Sequence, residues 1–251
     1  MERRQVLRRT TAMGAGVLAA GAMSAAPAGA ATHAHAGRPS RKGPFRVHIV
    51  LFDGVEELDF IAPYEVFSAA VMHGGDRKVE VDYVTTGETG TVRCAYGTQV
   101  AVTRRWEPRA AELIVVPGGG YRRKDGPGIW AEIKRGTLPR ALAASPRPGL
   151  TLSSLCTGAL LLSEAGLVKG RRCTTHRGAL KDLEKGGGVL TPARVVDDGD
   201  LVTAQGISSG LELGLWLVKR ELGSEAANGV EMMMEYEARG TVWETHTPRS
   251  R

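Results

Sequence analysis

The residue in this chain best suited to covalent chemistry is Cys156. It lies between an apolar strand predicted over residues 149–154 and a helix predicted over residues 157–164. A side chain on such a sharp strand-to-helix turn projects into the crevice beyond the carboxyl ends of the strands, where α/β sheets bind ligands. Helix N–H groups near the sulfur are expected to lower the pKa of the thiol. The pattern predicts a cysteine nucleophile, and a buried structural cysteine is the alternative.

A glycine run follows a second predicted strand, residues 112–117. The backbone N–H groups of Gly118 and Gly119, together with that of Thr157, are suited to bind a developing negative charge as an oxyanion hole. The alternative is a tight glycine turn. No Gly-Lys-Ser/Thr follows the run, so a phosphate-binding loop is not expected.

A carboxyl group, Asp59, follows the first predicted strand, residues 45–52. We expect it to approach Cys156 from the neighbouring loop. Its alternative role is to cap a helix that begins at Pro63, because aspartate is a favoured N-cap residue.

The elements that position these residues alternate between strand and helix, which predicts an α/β fold with a mostly parallel sheet covered on both faces. Strands are predicted over residues 45–52, 79–85, 100–103, 112–117, 149–154, 172–176, 194–196 and 201–203. Helices are predicted over residues 63–72, 129–144, 157–164, 178–184, 207–222 and 225–236.

The N-terminal segment has the pattern of a twin-arginine export signal. The paired arginines Arg3 and Arg4 precede an apolar, Ala/Gly-rich stretch, and the small residues Ala28-Gly29-Ala30 follow it. The stretch is too short and too rich in glycine for a good membrane anchor, so we expect an exported protein without a membrane span after signal removal. A disordered or single-pass segment is the alternative. The predicted organisation is signal 1–30, flexible basic linker 31–43, catalytic domain 44–245 and tail 246–251.

The positive charge of the chain is concentrated near its N-terminus. The formal net charge is +6, to which residues 1–30 contribute +3 and the linker lysine and arginines another +3. The domain is therefore near neutral, and nucleic-acid binding is not expected.

The three cysteines are Cys94, Cys156 and Cys173, an odd number, so at least one is unpaired; a Cys94–Cys173 bridge is possible in an exported protein.

Three motifs in this order resemble the DJ/ThiJ/PfpI superfamily, which has the class I glutamine-amidotransferase-like fold. They are the acidic loop FDGVEELD at 52–59, the oxyanion loop VPGGG at 116–120 and the elbow SLCTGA at 154–159. The segment 165–176 also follows as it does in that superfamily. The Cys-Thr-Gly elbow with aspartate in the first loop is most similar to the isonitrile (cyclohexyl-isocyanide) hydratase subgroup, as are residues 205–210 and 235–236.

This resemblance implies a flavodoxin-like three-layer sandwich, a homodimer and a small-molecule substrate, with no cofactor. It implies that Cys156 adds to an isonitrile carbon as a covalent thioimidate and that Asp59 donates a proton and then activates water. The backbone N–H groups of Gly119 and Thr157 and the Thr157 hydroxyl would lie nearby, and the product would be an N-substituted formamide. A similar pattern occurs in domains fused to DNA-binding regulators, but none follows Tyr236, so a regulator is not expected.

The chain departs from the hydratase pattern at three places. Arg177 follows His176 where an aromatic residue is usual, Arg122-Arg123-Lys124 make the loop after the glycines strongly basic, and Ala62 replaces a usual glycine. The basic residues suggest an anionic substrate, with simple solvation as the alternative. His176 has two readings, a Cys–His pair or a structural neighbour.

Two other functions stay open. One is a glyoxalase- or deglycase-type activity on reactive aldehydes, although such enzymes usually have glutamate where Asp59 stands. The other is a non-catalytic redox-sensing or stress-protective protein in which Cys156 oxidises. A protease is the least expected of the functions considered.

Cleavage after Ala30 would place His33 third in the mature chain, which is a copper- or nickel-binding pattern. A linker without this role is favoured, and no metal is expected.

Overall fold

The computed structural model of the chain describes residues 43–73 and 77–245. The predicted export signal, His33, most of the linker and the tail lie outside the described residues. The strands are β1 (Phe45–Val50), β2 (Val79–Thr85), β3 (Gly90–Arg93), β4 (Gln99–Val102), β5 (Arg104–Arg105), β6 (Leu113–Val116), β7 (Thr151–Ser154), β8 (Arg172–Cys173), β9 (Val189–Leu190), β10 (Val195–Asp197), β11 (Leu201–Ala204) and β12 (Val242–Glu244).

The helices flank this sheet in two groups. They are α1 (Glu57–Ala69), α2 (Ile129–Arg135), α3 (Thr137–Ala143), α4 (Ala159–Glu164), α5 (Leu180–Lys185), α6 (Ser209–Leu222) and α7 (Ser224–Met234). Helices α1, α6 and α7 pack on one another, and α2, α3 and α4 form the second group. No helix of the described residues is long and apolar enough to cross a membrane.

The central sheet has the strand order β12-β10-β11-β7-β6-β1-β2-β5, and every neighbouring pair is parallel except β10–β11. Strand β6 is buried at all four positions, as expected of a parallel strand covered on both faces. The prediction of a mostly parallel, flavodoxin-like α/β fold is confirmed. Strands β6 and β7 are neighbours, so the glycine run and Cys156 leave the sheet at the same edge.

Helix α1 begins six residues earlier than predicted, at Glu57, so Asp59 lies in its first turn and not in a preceding loop. The prediction rested on the helical spacing of the apolar residues after Pro63. The acidic residues Glu57 and Asp59 in the first turn favour the earlier start through the helix dipole. Pro63 lies inside the helix and donates no N–H, so the Asp59 carbonyl lacks the usual bond from that position.

Two other differences follow from local geometry. The helix predicted over residues 129–144 is divided at Gly136, whose φ of 72° ends α2 in the left-handed conformation. Strand β4 pairs with β3 in a separate antiparallel hairpin, which the sequence pattern missed because only Val92 of β3 is buried. This hairpin matters because its tip reaches the site.

A buried ion pair ties the sheet to α6. The Arg220 guanidinium donates to both carboxylate oxygens of Asp197, at 3.1 and 2.9 Å, and to Thr151 Oγ1 at 2.8 Å. Trp216 Nε1 donates to the same carboxylate at 2.8 Å. Asp197 is only 3% exposed, so its charge depends on these donors.

Candidate active site

Cys156 lies on a turn whose backbone is secured from several sides. Leu155 is extended, whereas Cys156 has a φ of 50° and opens a 3₁₀ turn, Cys156–Gly158, that leads directly into α4. The Cys156 N–H donates to the Gln205 carbonyl at 2.6 Å, and the Cys156 carbonyl accepts from His176 N at 3.1 Å and from Thr175 Oγ1 at 2.6 Å. A non-glycine residue in this conformation costs about 1–3 kcal/mol, and these bonds hold it in place.

Two glycines let the loops approach the turn closely. A Cβ at Gly158 would collide with the Val116 carbonyl oxygen, and one at Gly118 would lie 2.5 Å from the Thr157 nitrogen. Neither position has room for a side chain. The glycine run and the cysteine turn therefore pack backbone against backbone.

The sulfur of Cys156 is almost fully buried, with the residue only 6% exposed. The backbone N–H groups of Thr157 and Ile207 act to lower the pKa of its thiol, whereas the Asp59 carboxyl beside it acts to raise it. Burial first, and the Asp59 carboxylate second, raise the pKa of the thiol to about 12. The predicted lowering of this pKa was wrong, because desolvation and a neighbouring negative charge outweigh the N–H donors.

Asp59 is fully buried beside this sulfur. Its Oδ2 accepts a hydrogen bond from Gly118 N at 2.9 Å, while Oδ1 has no nitrogen or oxygen partner among the described residues. Burial raises the pKa of the carboxyl to about 8; the Glu56 charge adds to this effect, while the hydrogen bond from Gly118 and the neighbouring Cys156 side chain oppose it. Asp59 and Cys156 therefore form a coupled pair that retains protons at neutral pH.

The N–H groups predicted to form an oxyanion hole have protein partners in this structure. Gly118 N–H is bound to Asp59, and Gly119 N–H donates to Thr157 Oγ1 at 3.1 Å. Gly120 N–H has no acceptor among the described residues, and Gly120 lines the cavity in front of Cys156. Gly120 belongs to the predicted oxyanion loop, although the site residues named from the sequence were Gly118 and Gly119.

A cavity of about 390 Å³ opens onto Cys156. Its inner wall is formed by residues of the turn and its neighbours, and its outer wall by a hairpin tip and the basic loop. The lining residues are Glu56, Ala95, Tyr96, Gly119, Gly120, Tyr121, Arg122, Arg123, Cys156, Thr157, His176 and Ile207. Asp59 and Gly118 are not among the lining residues, and Asp59 lies next to Cys156, which is.

His176 shares the cavity wall with Cys156, but in the described structure its ring makes no hydrogen bond to the sulfur. Its Nδ1 accepts from Gly178 N at 3.1 Å, and its ring packs against Gly206. Burial, and then the Arg177 charge, lower the pKa of the imidazole, which favours the neutral form. Arg177 itself is exposed and does not line the cavity.

The hairpin between β3 and β4 carries Tyr96, which is 79% exposed, to the cavity mouth. Acidic residues of the first motif hold this tip: the Glu57 carboxylate accepts from Tyr96 N at 2.9 Å and Asp53 Oδ1 accepts from Arg93 N at 2.9 Å. Sequence reasoning missed Tyr96, Glu56 and Ile207. Ile207 acts through a backbone N–H, which leaves no side-chain signal.

The remaining predictions at the site have simple outcomes. Ala62 is 2% exposed and packs inside α1 against Gly210 of α6, so the structure accommodates this departure from the usual glycine. Cys94 and Cys173 are buried free thiols, so the possible bridge between them is absent. The described residues contain no group of three or more His, Cys, Asp or Glu side chains placed to hold a metal ion.

A parallel α/β sheet with a cysteine on a strand-to-helix turn defines a class of small α/β proteins. The DJ-1/PfpI family model matches residues 45–220, and the chain belongs to this family. An isonitrile hydratase of Pseudomonas putida is 32% identical, over 76% of this chain and 78% of the relative. The glutathione-independent glyoxalase DJ-1 of Schizosaccharomyces pombe is 23% identical, over 74% of this chain and 95% of the relative.

Solved structures agree on the fold. A THiJ/PfpI family protein from Pseudomonas syringae superposes with a TM-score of 0.69 at 22% identity, covering 87% of each chain. The Schizosaccharomyces pombe DJ-1 structure superposes with a TM-score of 0.63 at 20% identity, covering 76% of this chain and all of that one.

Proposed function

We propose that this protein hydrates an isonitrile to an N-substituted formamide, with Cys156 as the nucleophile. The observation that carries the proposal is the proton held by the buried Asp59 carboxyl, whose pKa is about 8, directly beside the Cys156 sulfur. An isonitrile carbon needs both a nucleophile and a proton, and this pair supplies both. The similarity to the Pseudomonas putida isonitrile hydratase supports the same assignment.

The first step begins after the pair has lost one proton, and it uses the form of the pair in which the remaining proton is on Asp59 and the sulfur is a thiolate. The sulfur of Cys156 bonds to the terminal carbon of the isonitrile, and the proton of Asp59 moves to that carbon. The N–H groups of Thr157 and Ile207 stabilise the thiolate before attack. The products of this step are a thioimidate on Cys156 and an Asp59 carboxylate.

Water completes the reaction. Asp59 removes a proton from water as the oxygen bonds to the thioimidate carbon, and that proton moves on to the substrate nitrogen. The carbon–sulfur bond then breaks, the hydroxyl proton returns to Asp59, and the formamide leaves with the thiolate regenerated. Because the pair must lose one proton before the first step, we expect kcat/KM to rise as the pH rises through about 8.

The test is formamide production from a panel of isonitriles. Wild type should turn over, Cys156→Ala and Asp59→Asn should lose at least about a hundredfold in kcat/KM, and Cys173→Ala should keep its activity, since Cys173 is a buried thiol outside the cavity. Folded wild type without turnover on any isonitrile, or an Asp59→Asn variant as active as wild type, would overturn the proposal.

A second candidate is a glyoxalase- or deglycase-type reaction on reactive aldehydes. It is favoured by His176, which shares the cavity wall with Cys156, and by the similarity to a glutathione-independent glyoxalase. Conversion of methylglyoxal to lactate, lost in both Cys156→Ala and His176→Gln, would support it. Activity on isonitriles that His176→Gln retains would favour the hydratase.

We further propose that the protein is exported by the twin-arginine pathway and acts as a homodimer. The paired arginines and the small-residue site before residue 31 support export, and the family resemblance supports the dimer. Retention of an Arg3→Lys/Arg4→Lys variant inside the cell is the expected result for export. A mass by light scattering that equals one chain would overturn the dimer.

A further inference from the structure

The cavity wall carries an unequal set of charges: Glu56, Arg122 and Arg123. The Arg123 guanidinium donates to the Ala95 carbonyl at 3.2 Å, and its charge lowers the pKa of Glu56 against the effect of burial. Arg123 thus already interacts with the hairpin tip and with Glu56. Arg122 is exposed and has no ion pair or hydrogen bond to any described residue.

The other two cations singled out in the sequence lie elsewhere. Lys124 Nζ lies 5.5 Å from the centre of the Trp130 ring and does not line the cavity. Arg177 is exposed and also lies outside the lining. Arg122 is therefore the cation of the basic loop that lines the cavity without a hydrogen bond or ion pair to any described residue. When Glu56 is ionised, the cavity wall carries one net positive charge.

The acids are placed on the side of the reacting sulfur. Asp59 lies beside Cys156, and Glu56 is close enough to Asp59 to raise the pKa of its carboxyl. An anionic group on the substrate is therefore disfavoured next to the reacting carbon and favoured at Arg122. A guanidinium binds a carboxylate through two parallel N–H donors, and one net positive charge matches a monoanion.

We propose that Arg122 binds a carboxylate at the far end of the substrate, so that the site selects carboxylated small molecules over neutral ones of the same size. The preference among isonitriles rests on the proposed function. Anion binding at Arg122 does not, because it should affect any reagent that reaches the Cys156 sulfur, so the anion site and the hydratase activity can be tested separately.

The first experiment compares kcat/KM for an isonitrile carboxylate and for the primary amide of the same length. In wild type the carboxylate should be preferred. The preference should fall roughly two- to fivefold in Arg122→Gln and remain in Lys124→Gln, which removes one charge from the same loop outside the cavity. The preference should also weaken at high ionic strength.

The second experiment needs no hydratase activity. Alkylation of Cys156 by iodoacetate and by iodoacetamide is followed by mass spectrometry of its peptide, and the ratio of the two rates is compared between variants. A ratio that falls in Arg122→Gln and not in Lys124→Gln supports the anion site, even if no isonitrile is turned over and the proposed function fails. A ratio that is unchanged in Arg122→Gln, or that falls equally in Lys124→Gln, overturns it.

Discussion

Replacing Asp59 with asparagine removes an ionisable group from a fully buried position with little change in side-chain size. Folding raises the pKa of this carboxyl from the ordinary value of 3.8 to about 8, chiefly through burial. The folded protein then holds a proton that the unfolded chain releases. This contribution to stability is complete below pH 3.8 and is lost as the pH rises through about 8.

The magnitude follows from the two pKa values. At about 1.4 kcal/mol for each pH unit, the whole contribution is about 6 kcal/mol, of which about 4 kcal/mol is lost between about pH 5 and pH 9. Asparagine does not titrate, and its carbonyl can still accept from Gly118 N, so the variant should fold. Relative to wild type, we expect Asp59→Asn to gain about 4 kcal/mol in free energy of unfolding over this range.

Urea unfolding at several pH values, followed by circular dichroism, measures this difference. Asp182→Asn is the control: the Tyr121 hydroxyl, and then Lys185, lower the pKa of Asp182, so its titration falls below the range and its difference from wild type should stay flat. A flat difference for Asp59→Asn as well would mean that Asp59 is ionised in the folded protein. The proton assigned to it beside Cys156 would then not exist.

Two further predictions concern the frame of the site and are checked by urea unfolding. Gly158→Ala should lower the free energy of unfolding by about 1–3 kcal/mol or more, because its Cβ would collide with a backbone carbonyl. Gly87→Ala has room for a Cβ and should change the stability little. Equal unfolding midpoints for the two variants would contradict the close packing at Gly158. Arg220→Met should lower the free energy of unfolding by about 3–5 kcal/mol, because it leaves the buried Asp197 carboxylate without its cationic partner. The Arg239 side chain is 83% exposed, so Arg239→Met should leave the stability nearly unchanged.

The sequence predicted the sheet and the cysteine turn well because both have local signals. Buried parallel strands such as Leu113–Val116 are continuous apolar runs, and a strand that runs into a helix at Cys156 restricts where the sulfur lies. The predicted start of α1 was wrong because the apolar spacing begins after Pro63, whereas the first turn of the helix is formed by residues that include Glu57 and Asp59.

The chemistry of the sulfur could not be predicted from the same local signals. The helix N–H groups at Cys156 are visible in the sequence, but the desolvation that raises its pKa comes from packing of the whole core. Ile207 contributes a backbone N–H, which any residue but proline could provide. Glu56 and Tyr96 reach the cavity only because the β3–β4 hairpin and α1 meet there.

Cys156 is secured by its main chain: its N–H is bound to Gln205, and its carbonyl to His176 and Thr175. None of these three bonds involves the sulfur, so the side chain can change while the turn keeps its shape. In evolutionary terms, one small nucleophilic side chain can replace another at this position while the backbone of the turn stays the same. New reactivity on this scaffold can therefore arise by exchange at a single codon, followed by adjustment of the cavity wall.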